Sequence, residues 1–354
     1  MVDKIHINSH KGEYSVSFNK EGINDLNHEP PNNAVFIIDK RIAQIYSSSL
    51  CNIIENERYL LIEALEENKS LDKFPDYIKS LVDLGLKRDE RLVAIGGGII
   101  QDITCFLAST MMRGIPWLFY PSTLLAMSDS CIGSKSSVNS KELKNILGTF
   151  NPPKEIILDV TFLDTLDQSD IFSGIGEMLK VHAIDAPESF ERIATNYQEI
   201  LDDREAMEHF IKESLRMKKK LIEIDEFDQG PRNVMNYGHS FGHAIESATN
   251  YKIPHGIAVT IGMDVANFVA TKLNITEEMH FDRMHDVLDR NCHLYRKENI
   301  DVSLLIEALS KDKKNTKSKL RLILPNKNGE IEIGLYEKSP ELERAIFNYF
   351  NQYH

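Results

Sequence analysis

Histidines concentrate in one stretch of the chain, NYGHSFGHAIESATNYKIPHG, which covers residues 236–256. His239 and His243 are four residues apart on a predicted helix, and Glu246 lies three residues further along the same face. His255 stands between a proline and a glycine, on a loop that could fold back. Because three protein ligands and one open position are typical of a catalytic zinc, the spacing predicts a metal site formed by His239, His243 and Glu246. Imidazole also binds cobalt. The alternative is a structural role, which is the more common one for a single buried histidine. The spacing leaves open which three residues bind the metal.

Basic and amide side chains precede these histidines, in KKKLIEIDEFDQGPRNVMN. Lys218, Arg232 and Asn236 are candidate ligand-binding residues. Cations and an amide beside a metal would suit a phosphorylated or carboxylated ligand. A solvated helix end is the alternative, and we favour it for Lys219 and Lys220.

The segment SGIGEMLKVH, residues 173–182, places Glu177 and Lys180 on one helical face. A surface ion pair is the alternative reading of this spacing. The apolar residues around the pair indicate that the face is covered instead. A buried carboxylate needs a partner, which could be a metal.

Two further segments could bind anions. AIGGGIIQD, residues 94–102, predicts a glycine turn between a strand and a helix, where the helix N-terminus favours a diphosphate. Gln101 replaces the third glycine of the dinucleotide fingerprint, and a tight turn without a ligand is the alternative. In DSCIGSKSSVNSKELKNILG, residues 129–148, Lys135 lies among small residues, which indicates an anion site or an exposed loop.

In the first half of the chain, strands alternate with helices, and these elements hold the candidate residues. Apolar runs predict strands, and amphipathic stretches between them predict helices, which together indicate a parallel sheet with covered faces. From about residue 169 the periodicity is mostly helical. We therefore predict an α/β domain over 1–168 and a mostly helical domain over 169–354. The predicted strands cover 34–39, 91–98, 117–123, 155–159 and 319–325, and the predicted helices of the first half cover 71–86 and 99–112.

Composition narrows the class of function. A formal net charge of -13 argues against nucleic acid and against anionic membranes as partners. The four cysteines form no CxxC pair, so a reducing compartment is expected. The first residues lack the apolar run of a secretory signal, and no apolar run is long enough to span a bilayer. We expect a cytoplasmic protein.

Taken in order, the motifs resemble those of the 3-dehydroquinate synthase and sugar-phosphate cyclase family. The resemblance runs from about residue 39 to about residue 325. It implies a Rossmann-like N-terminal α/β domain that binds NAD, a mostly α-helical C-terminal domain that binds Zn²⁺ or Co²⁺, an active site in the cleft between them, and a homodimer. The motifs are GGGIIQD, MRGIPWLFYPSTLLAMSDS, KNILGTF, GEMLKVH, RNVMNYGHSFGHAIE and IPHGIAV.

The resemblance also implies a role for individual residues. It makes Glu177, His239 and His255 the metal ligands, gives His243 a catalytic or substrate-contacting role, and returns Glu246 to a structural role. The residues that it places against NAD are Asp39, Glu66, Lys69, Gly97, Gly98, Asp102, Ser122, Thr123, Asp129, Lys144 and Thr165. Those that it places around the substrate are Lys135, Asn145, Lys180, Lys218, Arg232, Asn236 and His243. It places Arg113 and Lys313 on the substrate phosphate, with Arg113 reaching it within the subunit or across the dimer interface.

The reaction implied by the resemblance is the conversion of 3-deoxy-arabino-heptulosonate 7-phosphate to 3-dehydroquinate in the shikimate pathway. NAD removes and then returns a hydride, phosphate is eliminated, and an aldol step closes the ring. The alternatives are a specialised cyclase of the deoxy-inosose, valiolone or amino-dehydroquinate type, and a metal-dependent NAD-linked polyol dehydrogenase.

The chain departs from the family pattern near the implied substrate site. The family usually shows Gly-Gly-Lys-Thr around the first active-site lysine, whereas this chain has GSKSSVN, and Tyr237 replaces a leucine. These changes favour a specialised cyclase. Asn236 instead matches the dehydroquinate synthases, since the deoxy-inosose synthases have glutamate there.

Overall fold

The computed structural model describes residues 3–141, 143–311 and 319–354. These residues form two compact units, one made of Met1–Leu166 with Lys219–Phe227 and the other of Asp167–Lys218 with Asp228–His354. The return of 219–227 to the first unit was not anticipated from the sequence. The domain boundary after residue 168 stays a prediction, because a compact unit is defined by packing and a domain by independent folding.

The secondary structure of the described residues is as follows. The strands are β1 (Lys4–Ile7), β2 (Tyr14–Phe18), β3 (Ala34–Asp39), β4 (Tyr59–Ile62), β5 (Arg91–Gly96), β6 (Trp117–Pro121), β7 (Val138–Ser140), β8 (Leu143–Leu147), β9 (Glu155–Leu158), β10 (Lys319–Pro325) and β11 (Ile331–Glu337). The helices are α1 (Gly22–His28), α2 (Lys40–Ile45), α3 (Cys51–Asn56), α4 (Phe74–Asp83), α5 (Gly98–Thr110), α6 (Gln168–Asp185), α7 (Pro187–Thr195), α8 (Tyr197–Asp202), α9 (Arg204–Ile224), α10 (His239–Ala248), α11 (His255–Lys272), α12 (Glu278–Asn291), α13 (Val302–Ser310) and α14 (Pro340–Tyr353).

The first unit contains a seven-stranded sheet in the order β1-β2-β9-β6-β5-β3-β4. Its strands pair in parallel except for β1, which is antiparallel to β2. The predicted parallel sheet is therefore confirmed, with one antiparallel strand at its edge. Strand β1, KIHI, has only two apolar residues, which are too few to predict a strand from the sequence.

The central strands are buried because parallel strands are covered on both faces. All of β5 except Arg91 is buried, and α5 packs on β5, β6 and β3. The chain passes from β3 outward to β4 and then returns to the other side of β3 to form β5. The carboxyl ends of β3 and β5 thus flank a point where the strand order reverses, which is where open α/β sheets bind ligands.

The described residues also form two hairpins, β10–β11 in the second unit and β7–β8 in the first. Strand β10, which the sequence predicted, pairs antiparallel with β11, which it did not. The second hairpin is formed by β7 and β8. All five residues of β8 are exposed, so no apolar alternation marked it in the sequence.

The second unit is organised around α11. Every residue from Gly256 to Ala270 is buried, and the helix packs against α6, α10, α12 and α14. A helix that is buried on every side is expected at the centre of such a layer. No helix in the described ranges is both long enough and apolar enough to cross a membrane.

A polar cluster joins three of these helices. Asp264 on α11 accepts hydrogen bonds from His285 Nδ1 at 2.8 Å and from the Tyr349 hydroxyl at 2.7 Å. The hydrogen bond to Asp264 raises the pKa of His285 above its ordinary value of 6.5. A raised histidine pKa stabilises the fold below pH 6.5, and this contribution is lost as the pH rises through the native-state value. Burial raises the pKa of Asp264, which also favours the fold at lower pH.

We therefore expect the melting temperature of the wild type to exceed that of a His285→Gln variant by more at pH 6 than at pH 9. The comparison with the variant removes the contribution of the other histidines, which both proteins share. Thermal unfolding followed by circular dichroism at the two pH values measures the gap. An equal gap at both pH values would contradict the linkage.

Candidate active site

Two helices approach closely where Glu177 and His255 are found. A Cβ on Gly176 of α6 would lie 2.3 Å from the carbonyl oxygen of Gly256, and a Cβ on Gly256 would lie 1.8 Å from that of Ser173. No side chain larger than a hydrogen atom fits at this crossing of α6 and α11. Because each glycine is adjacent to a functional residue, the crossing brings Glu177 and His255 together.

Glu177 is the centre of the histidine cluster and is 1% exposed. Its Oε1 lies 3.5 Å from Nε2 of His255 and 3.9 Å from Nε2 of His239. Its Oε2 accepts a hydrogen bond from Nζ of the buried Lys180, one helical turn away. One carboxylate oxygen therefore faces two imidazoles, and the other is paired with a cation.

The second nitrogen of each of these rings has a fixed partner. His239 Nδ1 lies 3.2 Å from the carbonyl oxygen of Tyr237, and His255 Nδ1 lies 3.3 Å from Oε1 of Glu246. Since a carbonyl and a carboxylate only accept, each Nδ1 carries a proton and each Nε2 presents its lone pair. Histidines that bind metals are oriented by such partners.

The surroundings set the charge of the two rings in different ways. Burial lowers the pKa of His239 well below its ordinary value, so this ring is neutral at physiological pH. Burial acts in the same direction on His255, but the carboxylates of Glu246 and Glu177 together outweigh it, and the pKa of His255 is raised. A neutral imidazole is the form that binds a metal.

The donor atoms fit a divalent ion. Ligands of a tetrahedral zinc with bonds near 2.05 Å lie roughly 3.3 Å apart, and the Glu177–histidine distances are close to that value. His243 also borders the cluster, because its ring and those of His239 and His255 have nitrogens within 4.8 Å of one another. Glu246 lies on the Nδ1 side of His255 and supports the ring. The assignment of Glu177, His239 and His255 as the ligands stays a prediction.

Replacing Glu246 by glutamine is expected to weaken metal binding by about 10–100-fold, since the partner of a ligating histidine is lost. The glutamine keeps the shape but removes the charge that orients His255. Competition with a chelator for Zn²⁺ or Co²⁺ measures the affinity. Glu278→Gln is the control, because that side chain is 74% exposed on α12. Equal affinities in the two variants would contradict the role of Glu246.

Basic side chains are buried in the same unit. Lys180 is 2% exposed, Arg232 4% and Lys218 7%. Arg232 and Asn236 belong to a 3₁₀ turn, Pro231–Asn236, that packs against α6. Asn236 Nδ2 donates to the carbonyl oxygen of Asn233 at 3.0 Å. Buried cations need compensating partners, and anionic groups of a substrate could share that role.

In the first unit, candidate NAD residues meet at one edge of the sheet. Asp39 ends β3, Gly97 and Gly98 follow β5, and Ser122 and Thr123 follow β6. A Cβ on Gly97 would lie 2.8 Å from Cγ2 of Thr123, so a larger residue in the turn into α5 would displace Thr123. The Ser122 hydroxyl is buried and has no hydrogen-bond partner among the described residues. A bare helix N-terminus and an unsatisfied hydroxyl fit the pyrophosphate of a dinucleotide.

Glu66, Lys69 and Asp102 form a second group in this unit. Lys69 Nζ lies 3.1 Å from Asp102 Oδ2 and 3.4 Å from Glu66 Oε1. Burial raises the pKa of Asp102 to about 6, although Lys69 and the Ser137 amide oppose the shift. Asn145 connects to this group through Asn139, whose Oδ1 accepts from the Asn145 amide and whose Nδ2 donates to Glu66.

The remaining predicted residues are placed as follows. The Thr165 hydroxyl lies 3.0 Å from that of Tyr46, and Asp129 is half-buried in a π-helical segment, Ala126–Ser130, after β6. Lys144 is exposed on β8, and Lys135 is exposed on the preceding loop. Arg113 is exposed after the C-terminus of α5, which is roughly 18 Å long and begins at Gly98. Lys313 lies outside the described residues. The roles of all these residues stay predictions.

Some supporting residues were not identified from the sequence. Gln101, which replaces the third glycine of the fingerprint, donates to the Ser130 carbonyl oxygen and accepts from the Ser130 hydroxyl, both at 2.6 Å. The side chain thus connects the start of α5 to the end of the π-helical segment after β6. Similarly, the Tyr237 hydroxyl donates to Asn267 on α11 and fixes the residue whose carbonyl orients His239. Both contacts are tertiary, so residue spacing gave no signal of them.

The chain matches two family models. Residues 59–173 match the 3-dehydroquinate synthase N-terminal model, and residues 174–315 match the 3-dehydroquinate synthase C-terminal model. The 3-dehydroquinate synthase of Thermoanaerobacter sp. (strain X514) is 36% identical over 323 residues, which cover 90% of this chain and 91% of the relative.

Solved structures share the fold. ValA, the 2-epi-5-epi-valiolone synthase of Streptomyces hygroscopicus subsp. jinggangensis 5008 with NAD⁺ and Zn²⁺ bound, has a TM-score of 0.85 and 24% identity, with 96% of this chain and 97% of that chain covered. A 2-deoxy-scyllo-inosose synthase complexed with carbaglucose-6-phosphate, NAD⁺ and Co²⁺ has a TM-score of 0.84 and 22% identity over 97% and 99%. An iron-containing alcohol dehydrogenase is more distant, with a TM-score of 0.63 and 16% identity over 96% and 98%.

The sequence relationship covers most of both proteins, and the fold resemblance agrees with it. On these grounds the chain is a member of the 3-dehydroquinate synthase family of enzymes.

Proposed function

We propose that this protein is an NAD- and divalent-metal-dependent 3-dehydroquinate synthase that converts 3-deoxy-arabino-heptulosonate 7-phosphate to 3-dehydroquinate and inorganic phosphate. The observation that carries the proposal is the position of Glu177, with one oxygen facing His239 and His255 and the other paired with Lys180. The 36% identity to a 3-dehydroquinate synthase supports the choice of substrate.

Residues of this chain would hold both cofactors. Glu177, His239 and His255 would bind the metal, and Gly97, Gly98 and Ser122 would surround the NAD pyrophosphate. When bound, NAD would take a hydride from a substrate hydroxyl and later return it, and the ion would polarise the resulting carbonyl. The ValA and inosose synthase structures, with NAD⁺ and Zn²⁺ or Co²⁺, support this pair of cofactors.

The side chains of the second unit would bind and orient the substrate. Lys218 and Arg232 would supply positive charge for its phosphate and carboxylate, in a protein whose net charge is -13. Lys180 would donate hydrogen bonds while its pairing with Glu177 compensates its charge. The exposed ring of His243, stacked on that of His255, would hold or release a proton at a substrate hydroxyl. Positioning and charge complementarity would then carry most of the rate enhancement.

A specialised sugar-phosphate cyclase is the second candidate. Ser134 and Tyr237 differ from the residues usual in dehydroquinate synthases, and both lie beside predicted site residues. The fold resemblance to a valiolone synthase is compatible with this candidate. The lower TM-score of the alcohol dehydrogenase gives less support to a polyol dehydrogenase.

One assay separates the three functions. The purified protein is incubated with NAD, Zn²⁺ or Co²⁺, and seven-carbon sugar phosphates or a hexose 6-phosphate. Phosphate release from the heptulosonate without net NADH, with 3-dehydroquinate identified by mass spectrometry, supports the proposal. Turnover of another sugar phosphate alone supports the specialised cyclase, and net accumulation of NADH supports the dehydrogenase.

We further propose that the enzyme acts in the cytoplasm as a homodimer and takes part in aromatic amino acid biosynthesis. All four cysteines are free, which suits a reducing compartment. Arg113 is exposed after the C-terminus of α5, and by the family resemblance it would contact substrate phosphate from a second subunit. Sedimentation velocity tests the dimer.

A further inference from the structure

Lys135 emerges from a turn that is otherwise buried. Among residues 131–136 it alone is exposed, while Gly133 and Ser134 on its N-terminal side are buried. The backbone there is left-handed, with φ of +106° at Gly133 and +67° at Ser134. A residue other than glycine rarely adopts this conformation, so surrounding contacts must hold Ser134 in it.

On one side, the turn is held by a strand-like segment. Lys135 forms an antiparallel bridge with Phe150. The Ser136 amide donates to the Thr149 carbonyl oxygen at 2.9 Å, and the Asn151 amide donates to that of Ser134 at 2.7 Å. These bonds hold the backbone from the Ser134 carbonyl onward, and the Tyr14 hydroxyl accepts from the Gly133 amide at 3.1 Å. The Ser134 side chain is bonded on the other side of the turn.

On the other side, the turn is held by Glu226, which follows α9. Its Oε1 accepts hydrogen bonds from the hydroxyls of Ser134 and Ser9, both at 2.6 Å. Its Oε2 accepts from the His10 amide at 2.8 Å and lies 3.1 Å from His10 Nδ1. Burial raises the pKa of Glu226, but these hydrogen bonds outweigh it and lower the pKa below its ordinary value.

Phe227 strengthens the same junction. Its ring lies 5.1 Å from the ring of Phe150, the bridge partner of Lys135, and 5.1 Å from the ring of His10. Glu226 and Phe227 thus contact both strands of the bridge. All of these residues belong to the first unit.

We propose that Glu226 is a positioning residue for Lys135. By accepting the Ser134 hydrogen bond it selects the left-handed conformation of Ser134, and this conformation fixes the direction in which Lys135 leaves the turn. An ammonium held in this way would meet an anionic group of the sugar phosphate without first ordering its loop. The inference rests on the proposed function for the placement of Lys135 against the substrate.

Four variants test the mechanism. Ser134→Ala and Ser9→Ala each remove one hydroxyl bonded to the same carboxylate oxygen, but only the first hydroxyl belongs to the Lys135 turn. We expect Ser134→Ala and Glu226→Gln to raise KM for the sugar phosphate about 10-fold with kcat nearly unchanged, and Ser9→Ala to raise it less than about 2-fold. Ser134→Gly should keep KM within about 3-fold of the wild type, because glycine adopts positive φ without the hydroxyl.

A double-mutant cycle excludes a merely structural role. If Glu226 acts through Lys135, adding Glu226→Gln to Lys135→Met causes no further rise in KM. The proposal is overturned if the two changes are additive, if Ser9→Ala is as damaging as Ser134→Ala, or if Ser134→Gly is as damaging as Ser134→Ala.

A chemical readout is independent of turnover. The rate of acetylation of Lys135 by an amine-reactive ester, followed by peptide mass spectrometry, should change by at least about 3-fold in Ser134→Ala and Glu226→Gln and remain unchanged in Ser9→Ala, because lysine reactivity depends on its surroundings. An unchanged rate in all variants overturns the positioning role. If the wild type releases phosphate from no sugar phosphate, the proposed function fails, and the acetylation rates still decide this inference.

Discussion

Replacing Glu177 by glutamine is expected to abolish stable metal binding and to lower the rate of phosphate release by at least about 10³-fold, since a bound metal contributes several kcal/mol to the stabilisation of developing charge. Glutamine keeps the shape of the side chain and an oxygen for Lys180. It removes the negative charge that faces His239 and His255 at 3.9 and 3.5 Å. Metal per chain after dialysis, by plasma mass spectrometry, and phosphate release check the expectation.

The matched control for this variant is Glu208→Gln. Glu208 also pairs with a lysine on its own helix, Lys212 at 2.7 Å, and its side chain is 14% exposed. It belongs to the same unit but not to the histidine cluster. We expect Glu208→Gln to retain the metal content of the wild type. A Glu177→Gln protein that holds one ion per chain would remove this carboxylate from the ligand set.

Replacing Gly256 by alanine is expected to destabilise the second unit by about 4 kcal/mol or more, which places it among the most damaging single substitutions. The added Cβ would lie 1.8 Å from the Ser173 carbonyl oxygen, and a backbone atom cannot rotate away as a side chain can. Helices α6 and α11 would have to separate, and Glu177 would move away from His255. We therefore expect both a lower melting temperature, by roughly 10 °C, and weaker metal binding.

Gly98→Ala provides the comparison for this variant. The nearest atom to a Cβ at Gly98 is the Ser130 hydroxyl oxygen at 3.8 Å, which is an ordinary contact distance. The two positions are comparable, because Gly98 is the first residue of α5 and Gly256 is the second residue of α11. We expect its melting temperature to stay within about 2 °C of the wild type, in line with substitutions that cause no clash. A Gly256→Ala protein as stable as Gly98→Ala would show that the helix crossing tolerates a side chain.

The central strands of the sheet were predictable because each is a short run of apolar residues, and such runs are buried. The run AVFIID became β3 with the predicted bounds, and EIIL became β9. Helix α5 ends at Thr110 rather than 112, because Met112 and Arg113 adopt positive φ before Gly114. Strands β1 and β8 are too short or too exposed for periodicity to mark them.

The metal site was harder to predict from the sequence, because its residues lie far apart along the chain. Spacing finds His239 and His243, which share a helix, but it cannot join Glu177 to His255, which are 78 residues apart. Their proximity depends on the packing of α6 on α11. The partners of these residues, such as Glu246 on His255, act across a turn between two helices. The expected burial of Glu177 suggested a metal as its partner, but only the family resemblance grouped it with His239 and His255.

His239 and His255 are the first residues of α10 and α11, and α11 passes through the middle of its unit. An ion bound to them would join the starts of two packed helices to α6, and it would bind the folded state but not the unfolded one. Thermodynamic linkage then makes folding depend on free metal, with a gain of about 2.7 kcal/mol at a concentration 100 times the dissociation constant. The apparent thermal stability of a preparation would thus report how completely it was stripped of ions during purification.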